Sequence, residues 1–366
     1  MKKTLQTLLG ICLFILVTQT TTFAQGCVAI RSTGGLCTMD EHPDSLAPQG
    51  GWLFNANTRY FRSFRHFSGK QEQFQRIAQG TNVINHAFTE DFSLTRNFNN
   101  RWSMAFDVPI ISNSRSSLYE HGGSQRHNTY ASGVGDITLV GFGWLLNPAK
   151  AHKGNIQLGL GIKLPTGNDN AQSYFYNVGP NGSKRLGPVD QSIQPGDGGT
   201  GLITEVNAFY NFTHSFGFYG TFFYLINPQD VNGVSTARGG TASANSVLVT
   251  SDVMSIPDQI MARTGFSLGV NHFDFSAGAR YECIPVHDLI GGSDGFRRPG
   301  WILSGEPGVD YRIKNISIYA YVPIAILRDR TQSVADIRTT ELTGIYAHGD
   351  AAFADYVVNV GISVKF

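Results

Sequence analysis

The sequence predicts an all-β protein, a transmembrane antiparallel β-barrel of about twelve strands with short periplasmic turns and long extracellular loops. Three observations predict it. First, stretches of ten or more residues alternate apolar and polar side chains with a period of two, so each strand meets oil on one face and water on the other. Second, charged residues make up only 15% of the chain, while glycine (42) and phenylalanine (25) are abundant; soluble proteins carry roughly 25% charged residues. Third, no segment after the first two dozen residues is continuously apolar, and mean hydropathy is only −0.12. That excludes a helical span but suits a barrel, whose apolar face is spread over alternate positions. The formal net charge of +1 gives no sign of a nucleic-acid partner.

The chain opens on a targeting segment. Lys2 and Lys3 precede an apolar run at 8–17, and residues 22–24 end in small side chains, so residues 1–24 read as a signal peptide cleaved after Ala24. Residues 25–50 have no usable periodicity and read as a periplasmic segment, leaving 51–366 for the barrel. Cys27 invites a lipoprotein reading, but Ala24, Gln25 and Gly26 lack the large aliphatic residue expected before a lipidated cysteine. Export places the remaining cysteines in an oxidising compartment. Cys27 and Cys37, with Gly34 and Gly35 between them for a tight return, are the disulfide candidate; the alternative is two unrelated thiols. Cys283 reads as a small apolar strand residue.

Strand one (52–64) turns Trp52, Phe54, Ala56, Thr58 and Tyr60 outward and Asn55, Asn57 and Arg59 inward. Strand two (83–97) puts Ile84, Phe88, Phe92 and Leu94 on the lipid side. Strict alternation would add Glu90, at a cost of up to about 2–4 kcal/mol near the midplane and less for a carboxylate, so a bulge is expected at residues 89–91. In strand three, Trp102, Met104, Phe106, Val108 and Ile110 oppose Ser103, Ala105 and Asp107. A polar loop (112–132) leads to strand four (136–147), whose register Gly141 and Gly143 leave open. Strand five sets Ile156, Leu158, Leu160, Ile162 and Leu164 against Gln157, Gly159, Gly161 and Lys163. The longest loop (165–199) has the length to fold into the barrel and constrict it.

Strands six (202–212) and seven (216–226) follow, then a loop to 257. Strand eight (259–270) carries Arg263 inward. Strand nine (273–285) carries Asp274, Arg280 and Glu282, and strand ten (301–312) carries Glu306, Asp310 and Arg312. Strand eleven spans 316–327. The last strand, 351–366, sets Ala352, Ala354, Tyr356, Val358, Val360, Ile362, Val364 and Phe366 on one face. Asp355, Asn359, Gly361, Ser363 and Lys365 lie on the other. Such a strand leaves a bare edge unless it closes against strand one. Connections after odd strands are long and those after even strands short, which puts both termini in the periplasm. A soluble β-sandwich, the competing fold, would need short connections at both ends.

The inward charges are the candidate lumen lining: Arg59, Asp91, Asp107, Lys163, Glu205, Arg263, Arg280, Glu282, Glu306, Asp310, Arg312 and Asp355, together with Asp274 and Lys365. Both signs occur about equally, which fits neither a strong anion filter nor a strong cation filter. Pairing across neighbouring strands is the structural reading, with Arg280, Glu282, Glu306 and Arg312 as a ladder. No catalytic set, cofactor or metal site is indicated. Residues 196–201 match G-x-G-x-x-G but precede a strand instead of joining a strand to a helix. His86, close to Ser112 or Ser114 on the lipid side, is the minimum of a base–nucleophile pair and the basis of an outer-membrane lipase reading. It lacks an orienting third group.

The run 133–139, beginning Gly133-Val134-Gly135-Asp136, and the run 158–167, ending Leu164-Pro165-Thr166-Gly167, resemble the "GxGD…lglklPTG" pattern of a family of outer-membrane barrels. That family is described as transporters of the phenol meta-degradation pathway. Tyr319-Ala320-Tyr321-Val322-Pro323 and the terminal strand are similar too. The resemblance implies passage of small, often hydrophobic compounds across the outer membrane; it covers most of 51–366 and leaves out the Cys27/Cys37 segment. The expected role is a passive channel or facilitator for small hydrophobic or aromatic molecules. The partners are then outer-membrane lipid, the barrel-assembly machinery through the C-terminal strand, and the solute. Too few residues separate cleavage from strand one for a plug domain. The alternative is a structural or adhesion barrel that acts through its outer loops.

Overall fold

The computed structural model describes residues 50–366; residues 1–49, with the expected signal peptide and the Cys27/Cys37 disulfide candidate, fall outside the described residues. Twelve strands form one closed antiparallel ring. They are β1 (Trp52–Ser68), β2 (Ile84–Asn97), β3 (Trp102–Ser117), β4 in two segments (His127–Val134 and Thr138–Trp144), β5 (Gly154–Lys163) and β6 (Gly201–Asn211). Next come β7 (Phe216–Ile226), β8 (Gln259–Val270), β9 (Phe273–Ile284), β10 (Gly300–Ile313), β11 in two segments (Ile316–Tyr321 and Ile324–Asp329) and β12 (Ala351–Lys365). The loops carry three short helices: α1 (Phe74–Ala78), α2 (Ala244–Leu248) and α3 (Val334–Thr343).

Closure removes the edge that the last strand would otherwise expose. β12 pairs with β1 from Leu53↔Lys365 to Phe67↔Ala351. At the end of the seam Trp52 N–H donates to the Phe366 carbonyl at 2.6 Å and Phe366 N–H to the Trp52 carbonyl at 2.9 Å. A ring with no unpaired backbone is one of only two structures that a bilayer tolerates. Outward apolar residues stay exposed, as they must if lipid is their solvent: Trp102 58%, Phe106 44%, Leu158 45% and Val360 44%. The barrel is therefore an outer-membrane barrel. Replacing Phe106, near the middle of the lipid-facing stretch of β3, by Arg is expected to cost about 2–4 kcal/mol; urea unfolding in lipid vesicles, followed by tryptophan fluorescence, measures it.

Several sequence expectations change in detail. The bulge at 89–91 is absent. β1 pairs with β2 without a slip from Trp52↔Arg96 to Ser63↔Asn85, and β2 pairs with β3 from Ile84↔Ser116 to Asn97↔Ser103. Glu90 stays on the outward face, where Thr58 Oγ1 donates to its carboxylate at 2.7 Å. That hydrogen bond satisfies part of the charge without a shift of register. Irregularity occurs instead between β1 and β12, where two compensating register shifts, an extra residue first on β12 and then on β1, bracket the Ser63↔Ala354 pair. Beyond it Phe353 points inward and meets Phe67 edge-on, ring centroids 5.4 Å apart.

The polar loop expected at 112–132 is mostly strand. β3 runs on to Ser117, and His127–Val134 pairs with it from Ile110↔Val134 to Ser117↔His127. The barrel wall rises past the lipid there, so its outer face no longer has to be apolar and the alternation signal disappears. β4 then breaks at residues 135–137, and β11 breaks at Val322 and Pro323, where proline cannot donate to the ladder. Tyr319 lies across the inner face of β12 only because residue 361 is glycine; any Cβ there would overlap the phenol ring.

Candidate functional site

The lumen has three zones. The first is a belt of charge carried by β1, β8, β9 and β10. Arg263 Nη2 stands 2.7 Å from Glu306, Arg280 3.1 Å from Glu282 and 3.4 Å from Glu306. Arg59, on β1, reaches Glu282, on β9, at 3.7 Å. Those two strands are not neighbours in the ring, so this contact crosses the lumen. All five side chains are at most 7% exposed. The guanidinium of Arg263 also lies 5.3 Å from the Tyr219 ring and 5.4 Å from the Tyr321 ring. Charges this dry must be paired, because each one alone costs several kcal/mol of lost hydration. The belt braces the barrel and narrows it.

The second zone is an apolar strip on the inner wall of β4 and β6–β8. Val140, Ile203, Phe223, Leu225 and Met261 pack together, each at most 5% exposed, with Phe142 against them. Beside them sit Asp107, which accepts from Thr138 Oγ1 at 3.0 Å, and Glu205, which accepts from Asn207 at 2.8 Å. Asp91 lies on the same inner wall of β2 and is buried.

The third zone is the outer mouth, which residues 164–200 enter. Val189 and Ile193 are fully buried there with Ala131 and Ala171. Asn113 of β3 donates to the Ile193 carbonyl at 3.3 Å. The loop is latched where β4 breaks. Thr166 Oγ1 accepts from Ile137 N–H and donates to the Gly135 carbonyl, both at 2.9 Å. Asp136 accepts from Gly167 N–H at 3.0 Å and from Asp197 N–H at 3.1 Å. Lys163 closes the latch on Asp197 and stands 3.8 Å from Asp136. Gly167 and Gly196 cross so closely that a Cβ on Gly196 would come within 2.8 Å of the Gly167 Cα. The GxGD and PTG runs are thus the two halves of one clasp.

A second anchor holds the loop further out. Arg298 grips Asp190 with two hydrogen bonds of 2.9 and 2.7 Å, and Arg115 approaches the same carboxylate at 3.4 Å. Burial opposes the Asp190 charge, yet Arg115 and Arg298 outweigh it and hold the carboxyl well below its ordinary 3.8. A depressed carboxyl contributes stability that is fully present above the ordinary value and is lost as pH falls through the folded one. The loop is therefore expected to stay protected from proteolysis at pH 5 and to loosen only well below pH 3.8, as a protease series over pH shows.

The structure groups the candidate residues unevenly. Arg59, Arg263, Arg280, Glu282 and Glu306 meet in the belt, and Lys163 serves the latch. Asp91, Asp107 and Glu205 line the wall opposite. Asp310, Asp274 and Arg312 form a separate set at the turn end, with Arg312 ion-paired to Asp274 and 3.8 Å from Asp310. The expected ladder thus loses Arg312, which lies too far along β10, and gains Arg59 and Arg263. Asp355 pairs with Arg65 at 3.6 Å near the outer end. Sequence reasoning missed the apolar strip and the arginines of the mouth. His86 lies in register with Ser114, but its Nδ1 is engaged by the Tyr60 hydroxyl at 2.8 Å. Among the described residues no group of three or more metal-ligating side chains occurs.

No protein-family model matches the chain, and no curated protein matches it. Solved structures do. An outer-membrane channel from Pseudomonas putida F1 superposes with a TM-score of 0.57 at 10% identity, over 88% of this chain and 97% of that one. The two share a fold. A FadL homologue from Pseudomonas aeruginosa gives a TM-score of 0.44 at 8% identity over 95% and 98% of the two chains. The Pseudomonas putida toluene transporter TodX gives 0.40 at 8% identity over 93% and 96%.

Proposed function

We propose that the barrel is an outer-membrane channel for the passive passage of small, largely hydrophobic or aromatic molecules. The observation that carries this reading is the apolar strip of Val140, Ile203, Phe223, Leu225 and Met261 on the inside of the wall. Inward positions of a water-filled barrel are polar; here the five pack together at 5% exposure or less, so the wall beside them is dry, which favours a greasy solute over a sugar or an ion. The mouth loop and the charge belt make passage narrow and selective. The shared fold with an outer-membrane channel supports the same reading.

Planar-bilayer recording tests it. Discrete conductance steps are expected, and benzyl alcohol at millimolar concentration should reduce the open current. Phe223→Asn should weaken that block several-fold while the steps remain. Membranes that stay silent at every voltage with folded protein inserted would favour the alternative of a structural or adhesion barrel. The exposed Ile345 and Tyr346 of the outer loops, 73% and 69% exposed, are where such a barrel would make contact.

A further inference from the structure

The outer loops enclose a cavity of about 420 Å³ that the passage itself does not require. Its wall carries six arginines from five different segments: Arg76, Arg115, Arg238, Arg297, Arg298 and Arg330. Two carboxylates, Asp336 and Asp350, share the wall among the described residues. Other carboxylates that fix the arginines stand outside the lining. Glu120 holds Arg115 and Arg238, at 3.1 and 3.0 Å, Asp190 holds Arg298 and Asp288 holds Arg297. The guanidiniums are therefore positioned from behind, and Arg76, Arg238 and Arg298 keep side-chain exposures of 34%, 31% and 12%. Arg297 and Arg330 are 2% and 3% exposed, and the Nε of each has no hydrogen-bond partner among the described residues.

Apolar side chains, among them Val83, Val249, Phe296 and Ala351, share the wall with polar ones such as Ser251, Ser333 and Thr339. Arg298 lies 4.6 Å from the Phe296 ring and Arg238 5.5 Å from the Tyr119 ring, so the charged planes are stacked and rigid. Planar forks of this kind match carboxylate geometry. The volume falls in the range of small-molecule sites, roughly 300–1,000 Å³. We propose that this cavity binds a small organic anion, a carboxylate on a compact apolar or aromatic body, before it meets the lumen. The ligand's further passage rests on the channel reading; its binding does not.

Isothermal titration of the full-length chain in detergent, with benzoate as the probe, tests the site. Saturable benzoate binding is expected, with benzyl alcohol, the same ring without the charge, at least tenfold weaker. Arg238→Gln and Arg330→Gln should each weaken benzoate about tenfold, and Arg238→Lys, which keeps the charge but not the planar fork, should fall between Arg238→Gln and the native protein. Arg238 is a partly exposed loop side chain whose carboxylate partner keeps Arg115, so its substitution leaves the barrel intact, as the heat-modifiable gel shift reports. Absence of saturable benzoate binding, or equal affinity for benzyl alcohol, overturns the proposal. Inorganic phosphate binding as tightly as benzoate overturns the organic part of it. Either failure, with the benzyl alcohol block of conductance intact, leaves the channel reading standing.

Discussion

Replacing Arg59 and Glu282 together by alanine should raise single-channel conductance about threefold or more, because the narrowest charged constriction of a pore sets its resistance. The two side chains reach from β1 and β9 to meet across the lumen at 3.7 Å. Removing both leaves a gap on that line and no new unpaired carboxylate. The single variant Glu282→Ala should behave differently. Arg263 and Arg280 would then share Glu306 and Arg59 would lose its contact with Glu282, in a space where each is nearly water-free. Breaking a buried pair on one side costs about 3–5 kcal/mol, so this variant should unfold at distinctly lower urea while the double variant loses less. Recording both in the same bilayers, with unfolding curves beside them, separates constriction from stability.

Asp136→Ala should release the mouth loop. Asp136 accepts from Gly167 N–H and Asp197 N–H and faces Lys163. Its loss leaves two backbone donors and part of an ammonium without their acceptor, about 2–4 kcal/mol of docking energy in all. A clasp weakened by that amount opens for a measurable fraction of the time. Trypsin should then cut at Arg185, which in the native loop is half-buried and donates to the Arg238 carbonyl at 3.0 Å, and recorded currents should flicker between a small and a larger level. Protection equal to that of the native protein would show that the anchor of Asp190 and Arg298 holds the loop unaided.

Legibility of the fold followed the solvent. From Trp102 to Ile110 the alternation is clean because lipid and lumen impose opposite demands at every step. Beyond Ile110 on the same strand the lipid has ended, Ser112, Ser114 and Ser116 take the outer positions, and nothing in the pattern tells strand from loop. Glu90 looked like a register error because its partner, the Thr58 hydroxyl, lies 32 positions away. The candidate lumen residues were readable as inward charges, but which of them meet was not: Arg59 and Glu282 touch through ring closure, which no local spacing encodes. Ile203, Phe223 and Met261 escaped because inward positions were expected to be polar. The mouth arginines sit in irregular loops without a period, and only the adjacent Arg297 and Arg298 hinted at them.

One measurement bears most directly on the claim that lipid surrounds this molecule and that polar and apolar side chains alternate between lumen and lipid. Spin labels are placed singly at positions 103 to 108 of β3, in a background with the cysteines replaced by serine, and the protein is reconstituted into vesicles. Oxygen accessibility should rise at Met104, Phe106 and Val108 and fall at Ser103, Ala105 and Asp107, with a strict period of two. A profile without alternation, or one with its maxima at Ser103, Ala105 and Asp107, would contradict the account.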